Sequence, residues 1–450
     1  MSHLSVAKFG GTSVANYPTM QSCANIVIAD PNTRLVVLSA SAGVTNLLVA
    51  LANGCEEPER NKLLNEVRQI QENILTELKD DSRVRPKVEA LLANITSLAE
   101  AANLATSLAL TDELISHGEM MSSLIFVEVL RELQIEATWL DVRTIVATNS
   151  HFGKAAPNDE QTRQNCDNLL KPLIERGELV ITQGFIGRDE QGKTTTLGRG
   201  GSDYSAALLA EVLNAQDVLI WTDVAGIYTT DPRIVPNAQR IDTMSFSEAA
   251  EMATFGAKVL HPATLLPAVR SNIPVYVGSS KAPQDGGTWV TRNPQPRPTF
   301  RAIALRRDQT LLTLSSLNML YAQGFLANIF TILAKHKISV DTITTSEVSV
   351  ALTLDKTGSA SSGASLLSEE LLRELSEFCT VKVDVGLSLI ALIGNELHTA
   401  SGVAKRIFET LDAYNIRMIS YGASTNNICL LADSDKADNI VRVLHRSLFE

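Results

Sequence analysis

The 450-residue sequence lacks a cysteine framework. Its five cysteines (Cys23, Cys55, Cys166, Cys379 and Cys429) are odd in number, widely scattered and part of no CxxC or Cys/His cluster. A disulfide scaffold and a structural zinc site of the usual spacing are therefore excluded. Basic charge is also short: 39 Lys and Arg stand against 50 Asp and Glu, a net charge of −11. That balance leaves no electrostatic footprint for nucleic acid, and no such partner is expected. It does not exclude an anionic ligand, which responds to the local field. No uninterrupted apolar stretch is long enough to span a bilayer, and the first residues enter a strand pattern without a basic and then apolar leader. A cytoplasmic protein with no membrane partner is expected. Aromatic residues make up only 5%, yet 45% of the chain is hydrophobic and 20% charged, so a sizeable core can form. Two or three domains suit this length.

What is present alternates between strand and helix. Residues 4–8 and 34–39 read as buried strands, each followed by a small-residue turn and a helical pattern, the signature of a mostly parallel α/β sheet. Residues 57–135 are strongly helical. Strands return at 179–182, 218–221 and 274–277, with helices over 202–213 and 245–254 between them. Residues 281–299, rich in Pro and Gly, read as a linker or irregular domain edge. Beyond it a βαββαβ pattern occurs twice. The first copy has strands at 311–314, 338–343 and 348–354 and helices at 324–336 and 366–378. The second has strands at 387–393, 416–421 and 428–431 and helices at 402–414 and 437–448.

Two segments compete for a phosphate. Gly187-Arg188-Asp189-Glu190-Gln191-Gly192-Lys193-Thr194 matches the P-loop pattern G-x4-G-K-[ST]. That pattern works only if the Lys and Thr open a helix whose dipole faces the anion. Here Thr194-Thr195-Thr196 favours a strand, and Asp189 and Glu190 would place two negative charges inside the cradle. A hairpin turn is expected instead. The stronger candidate is Lys8-Phe9-Gly10-Gly11-Thr12-Ser13, a strand ending in a cation and two glycines that let backbone amides approach an anion. Taken alone it could equally be a tight turn with a solvated lysine. Four further loops join it: Ser39 to Thr45, Gly198 to Asp203, Trp221 to Arg233, and the stretch ending in Lys258. Open α/β sheets gather such loops at the carboxyl ends of their strands.

Together with Thr111-Asp112-Glu113-Leu114-Ile115-Ser116-His117-Gly118-Glu119, Gly198-Arg199-Gly200-Gly201-Ser202-Asp203, Trp221 to Tyr228 and Asp231-Pro232-Arg233, the opening segment resembles the aspartokinases of the amino-acid kinase superfamily. The likeness covers essentially the whole chain and is nearest to the monofunctional, lysine-sensitive members. It implies an amino-acid-kinase-type α/β domain with a mostly parallel sheet over residues 1–295. Two α+β, ferredoxin-like ACT modules over 300–385 and 386–450 would follow. It also implies transfer of the ATP γ-phosphoryl group to the side-chain carboxylate of L-aspartate. This is the first step toward lysine, threonine and methionine. A carboxylate is already an ionised nucleophile, so positioning and charge neutralisation carry the chemistry.

The roles follow from that resemblance. Lys8 stabilises the transferring phosphoryl group, assisted by the Gly10 and Gly11 amides, and Asp203 orients the cations. Arg199 grips the substrate α-carboxylate with a bidentate fork, Glu119 meets the α-ammonium, and Ser39 and Thr45 donate hydroxyls. Thr222, Asp223, Tyr228, Arg233 and Lys258 belong to the nucleotide site. Mg²⁺ is expected to be held mainly by the nucleotide phosphates, with no protein metal cluster. His117 and His261 are read as structural, because an imidazole base has no task in this reaction. Lysine is the expected allosteric inhibitor. Its site draws on Met319, Gly324, Phe325, Leu326, Ser339, Val340, Asp341, Thr345, Ser346 and Glu347, the acids meeting its side-chain ammonium. Ala322 and Gln323 stand where a Ser and a basic residue are expected. ACT modules bind ligands at interfaces between paired modules, which implies a homodimer or tetramer.

Overall fold

A computed structural model describes residues 3–198, 200–257, 260, 265–319, 323–355 and 367–450. Arg199, Lys258, His261 and Ala322 lie outside the described residues. The chain packs as two compact units. One comprises residues 1–227, 240–250 and 258–295, the other residues 228–239, 251–257 and 296–450. Segments 228–239 and 251–257 thus leave the expected 1–295 domain and pack with the second unit. For the first segment the cause is apolar burial. Val235, with Ile234 and Ala238, packs against a core containing Phe300, Ile303, Val441 and Leu444. The Ile303 amide also donates to the Thr229 carbonyl at 2.7 Å.

The first unit carries strands β1 (Ser5–Phe9), β2 (Thr33–Leu38), β3 (Thr138–Trp139), β4 (Ala147–Thr148), β5 (Val180–Gln183), β6 (Ile186–Asp189), β7 (Thr194–Thr196), β8 (Asp217–Thr222), β9 (Thr243–Ser245), β10 (Val275–Ser279) and β11 (Gly287–Thr291). Among the described residues eight of them form one sheet, ordered β3-β5-β2-β1-β8-β10-β11-β9. Its central pairings are parallel, with Phe9 opposite both Leu38 and Trp221. The carboxyl ends of β1, β2, β5 and β8 therefore line one edge. Strands covered on both faces read as continuous apolar runs, as Leu35–Leu38 does. The expected linker at 281–299 is corrected in part. Gly287–Thr291 pairs antiparallel with β10, and a Cβ at Gly287 would fall 2.2 Å from the Val277 carbonyl oxygen.

Helices α1 (Tyr17–Ala29), α2 (Val44–Ala52), α3 (Glu57–Leu75), α4 (Arg85–Leu104) and α5 (Leu108–Glu132) belong to the same unit. So do α6 (Asp159–Asn165), α7 (Lys171–Glu175) and α8 (Gly201–Leu213). α5 starts at a Ser107 cap whose hydroxyl accepts the Leu110 amide at 3.2 Å. From Asp112 to Leu130 it is buried almost all round, including the polar Asp112, Ser116, His117, Glu119, Ser122 and Ser123. Phe126 on α5 lies 6.2 Å from Phe9, ring to ring, and Phe9 stacks on Trp221 at 6.5 Å. β6 and β7 form the expected hairpin. Gly192 turns at φ +81°, and Asp189 Oδ1 accepts the Gln191 and Lys193 amides. The P-loop spelling is a β-turn.

The second unit holds one six-stranded antiparallel sheet among its described residues, ordered β13-β14-β12-β15-β17-β16. These strands are β12 (Phe300–Ser315), β13 (Ser339–Thr345), β14 (Ser349–Asp355), β15 (Thr380–Gly394), β16 (Ile416–Tyr421) and β17 (Asn427–Asp433). The strands expected at 311–314 and 387–393 are each the half of a much longer one. The first half of β12 pairs with the last half of β15, and the reverse. Both kink midway, at Asp308 (φ +58°) and Gly386 (φ +72°), where the register slips. Two cores result. Leu312, Leu314, Ile329, Leu352 and Leu375 form one; Phe300, Ile303, Ile390, Ile407 and Leu444 form the other.

Candidate active site

Strand alternation turns Phe9 into the core and leaves Lys8 to the opposite face of β1. There its Nζ lies 2.5 Å from Asp203 Oδ1, with about a tenth of the Lys8 side chain exposed. Asp203 sits in the first turn of α8, where a carboxylate also meets the positive end of the helix dipole. It makes an ion pair rather than a cap. Gly200 (φ +72°) occupies the cap position.

The two glycines after Lys8 differ in a way their sequence does not show. The Gly10 amide donates to the Trp221 carbonyl at 3.0 Å, extending the β1–β8 ladder. In this conformation it is not free to bind a phosphate, which corrects the expectation. Gly11 is needed for space: a Cβ there would lie 2.8 Å from the Ala40 carbonyl oxygen. Its own carbonyl accepts the Ala42 amide at 3.1 Å. The loops after β1 and β2 are therefore in direct contact. Ser39 begins the second loop, its amide bonded to the Phe9 carbonyl and its carbonyl to the Ser122 hydroxyl of α5. Thr45 is half-buried in the first turn of α2, after Gly43 at φ +87°.

Glu119 projects from α5 into this cluster and is 3% exposed. Its Oε2 has no hydrogen-bond partner among the described residues, and the same holds for the buried Ser41 Oγ. Burial pushes the Glu119 carboxyl up to about 8, while the Ala40 backbone and the Lys8 charge pull the other way. A buried acid with one oxygen unpartnered among the described residues, near a buried lysine, is a site prepared for a cationic group and an anionic one.

Thr222 and Asp223 close β8 at the same sheet edge, and the Thr222 carbonyl accepts the Ser280 amide at 2.8 Å. Ser280 also meets Ser13, hydroxyl to hydroxyl, at 2.6 Å, a tie between loops 267 residues apart that sequence reasoning missed. Tyr228 and Arg233 fall in the second unit, where the exposed Arg233 pairs with Asp231 at 2.6 Å. His117 is buried and bonded to the Glu113 carbonyl through Nδ1. Burial lowers its basicity, in keeping with a structural role.

The effector residues lie in the second unit. Met319 and Phe325 pack on its first core, and Phe325 meets Phe378 edge-on at 5.6 Å. Gly324 (φ +83°) starts α9 (Phe325–Lys335), and Leu326 is partly exposed. Asp341 is paired with Arg306 at 3.0 Å, so its charge is met within the unit. Ser339 to Asp341 open β13, whereas Thr345 ends it and Ser346 and Glu347 follow in the turn. At about 3.3 Å per residue Asp341 and Thr345, the facing members of the two groups, stand roughly 13 Å apart along the strand.

Such a sheet edge, with a buried lysine and glycine-spaced loops, suits a phosphotransferase. The family model described as the amino acid kinase family matches residues 3–279, and an ACT domain model matches 390–448. Lysine-sensitive aspartokinase 3 of Escherichia coli is 61% identical over 450 residues, 100% of both chains. Chloroplastic aspartokinase 3 of Arabidopsis thaliana is 34% identical, covering 99% of this chain and 81% of its own. The crystal structure of E. coli aspartokinase III with aspartate and ADP, an R-state, covers 100% of both chains with a TM-score of 0.90 and 61% identity. This chain belongs to the amino acid kinase family and, within it, to the aspartokinases.

Gly11→Ala is expected to lower kcat by about 10- to 100-fold, the cost of shifting a reacting group by a fraction of an ångström to an ångström. Gly10→Ala, whose Cβ meets nothing closer than 3.7 Å, is expected to be much milder. Steady-state rates of the two variants check the difference.

Proposed function

We propose that this aspartokinase transfers the γ-phosphoryl group of ATP to the side-chain carboxylate of L-aspartate, giving 4-phospho-L-aspartate, and that lysine inhibits it. The observation that carries the reading is the Lys8–Asp203 pair near the buried Glu119, whose Oε2 has no partner among the described residues, at one sheet edge. Lys8 neutralises the moving phosphoryl group, and Asp203 holds its ammonium in place. Glu119 receives the α-ammonium of aspartate, Arg199 its α-carboxylate, and Ser39 and Thr45 orient the acceptor. Thr222, Asp223, Tyr228, Arg233 and Lys258 serve the nucleotide. Mg²⁺, held mainly by the phosphates, supplies charge neutralisation there. The groups present fit a nucleotide site, since a buried lysine held by Asp203 stands near buried polar atoms that lack partners among the described residues.

The kinase domain ends near residue 295. The first ACT-type module runs from the second half of β12 to the first half of β15, and the second comprises the remainder with the first half of β12. A lysine molecule is shorter than the roughly 13 Å of strand between Asp341 and Thr345. Residues from both groups meet one ligand more readily if two copies of the chain contribute, which supports a homo-oligomer. Arg306 beside Asp341 means that a lysine ammonium competes with a resident cation. No helix among the described residues is long and apolar enough to cross a membrane, and the cytoplasm is the proposed location.

Hydroxamate trapping tests the reading. With ATP, Mg²⁺ and aspartate the chain should yield aspartyl hydroxamate, and millimolar lysine should suppress it. Well-folded protein that forms none would overturn the kinase reading; formation indifferent to lysine would overturn only the effector.

A further inference from the structure

We propose that Asp112 is a positioning residue for aspartate, fixing the loop that carries Arg199 to the helix that carries Glu119. The inference rests on the kinase reading above and adds a residue to its machinery. Asp112 is fully buried on α5, seven residues before Glu119. Seven residues are nearly two helical turns, so the two carboxylates share a face about 10 Å apart along the axis.

Among the described residues the donors that reach Asp112 come from β7, which leads into the substrate loop, and from the segment around Gly153 that is bonded to it. The Thr196 amide donates to Oδ2 at 2.9 Å and the Thr196 hydroxyl to Oδ1 at 2.8 Å. The Gly153 amide donates to both oxygens, at 2.9 and 3.1 Å. These segments are joined to each other as well, the Ala155 amide donating to the Thr196 carbonyl at 2.8 Å. Thr196 ends β7 and stands two residues before Gly198. Gly198 (φ +77°) and Gly200 (φ +72°) are left-handed glycines, a conformation that by itself fixes little. Anchors hold the described residues on either side of them. Upstream they are Thr196 on Asp112 and the Leu197 amide on the Phe185 carbonyl at 2.9 Å; downstream it is Asp203 on Lys8.

All four contacts require an acceptor at both oxygens. Burial pushes the Asp112 carboxyl up, and the Gly153 and Thr196 donors draw it back. Asparagine keeps the shape but presents an NH₂ to one set of donors. The start of the loop at Thr196 then shifts relative to Glu119, while its far end stays held by Asp203 on Lys8. A clamp that served folding alone would alter stability and leave the ligand constants alone.

The test is steady-state kinetics of full-length Asp112→Asn and Thr196→Val in the hydroxamate assay. For Asp112→Asn the aspartate KM should rise about tenfold or more, with the ATP KM within about twofold of the parent. Thr196→Val removes one donor and should move the aspartate KM in the same direction by less, which serves if Asp112→Asn folds poorly. Unchanged aspartate KM in folded variants, or equal rises for both substrates, would overturn the positioning role. A parent enzyme that forms no hydroxamate would instead overturn the kinase reading beneath it.

Discussion

Replacing Lys8 with alanine is expected to lower kcat by about 10²- to 10³-fold, the range seen when one preorganised charge-stabilising donor is removed. The aspartate KM should move little, because Lys8 acts on charge that develops during transfer. The variant also leaves Asp203 without its 2.5 Å partner at a site where both side chains are nearly buried. Breaking such a pair costs stability, on the order of 1–3 kcal/mol for a pair with some solvent contact. The double variant Lys8→Ala/Asp203→Asn removes the stranded charge. It should recover much of the lost thermal stability and none of the lost turnover. Thermal unfolding and kcat measured together check this. If activity returned with stability, Lys8 would be a structural ion pair and nothing more.

Glu119→Gln should separate stability from binding in the opposite sense. The folded carboxyl is pushed up to about 8 from an ordinary value of 4.5, so the folded state favours the protonated form. That contribution is fully present below about pH 4.5 and is lost as pH rises through about 8. Above pH 8 the parent holds an ionised, buried acid, and the amide variant should be more stable there, by a few kcal/mol at most. Aspartate needs the ionised acid for its ammonium. Its affinity for the parent should therefore fall toward tenfold per pH unit as pH drops below about 8. In Glu119→Gln binding should be weaker and that slope should vanish. Aspartate titrations from pH 6.5 to 8.5, with melting curves at pH 9, provide the check. A parent slope near zero would mean that Glu119 does not meet the ammonium.

The parts of the site that were legible in the sequence are those whose physics is local. Lys8 could be read from a buried strand running into two glycines, and the false P-loop could be dismissed because Thr194–Thr196 prefers a strand. Gly10 and Gly11 look alike in sequence. Only the pairing with β8 and the approach of Ala40 separate an amide tied to Trp221 from a residue that must lack a side chain. Asp112 was visible as a letter in a motif but not as a clamp, since its partners lie 41 and 84 residues away. In the second unit the helices were legible from their periodicity. The full length of β12 and β15 was not: polar residues at the mid-strand kinks interrupt the apolar pattern that marks a strand. The Gly287–Thr291 strand was hidden by the Pro and Gly around it.

Those two long strands carry a consequence for the way the second unit comes apart. Because β12 and β15 run unbroken through both halves of the sheet, each apolar core is walled by chain that also walls the other. A protease nick or a truncation at 385/386 would sever β15 between residues paired to β12 on either side. Neither half has a complete set of strands of its own to retain. The halves therefore melt together, as one cooperative block, and a perturbation of one core loosens the shared strands on which the other is built.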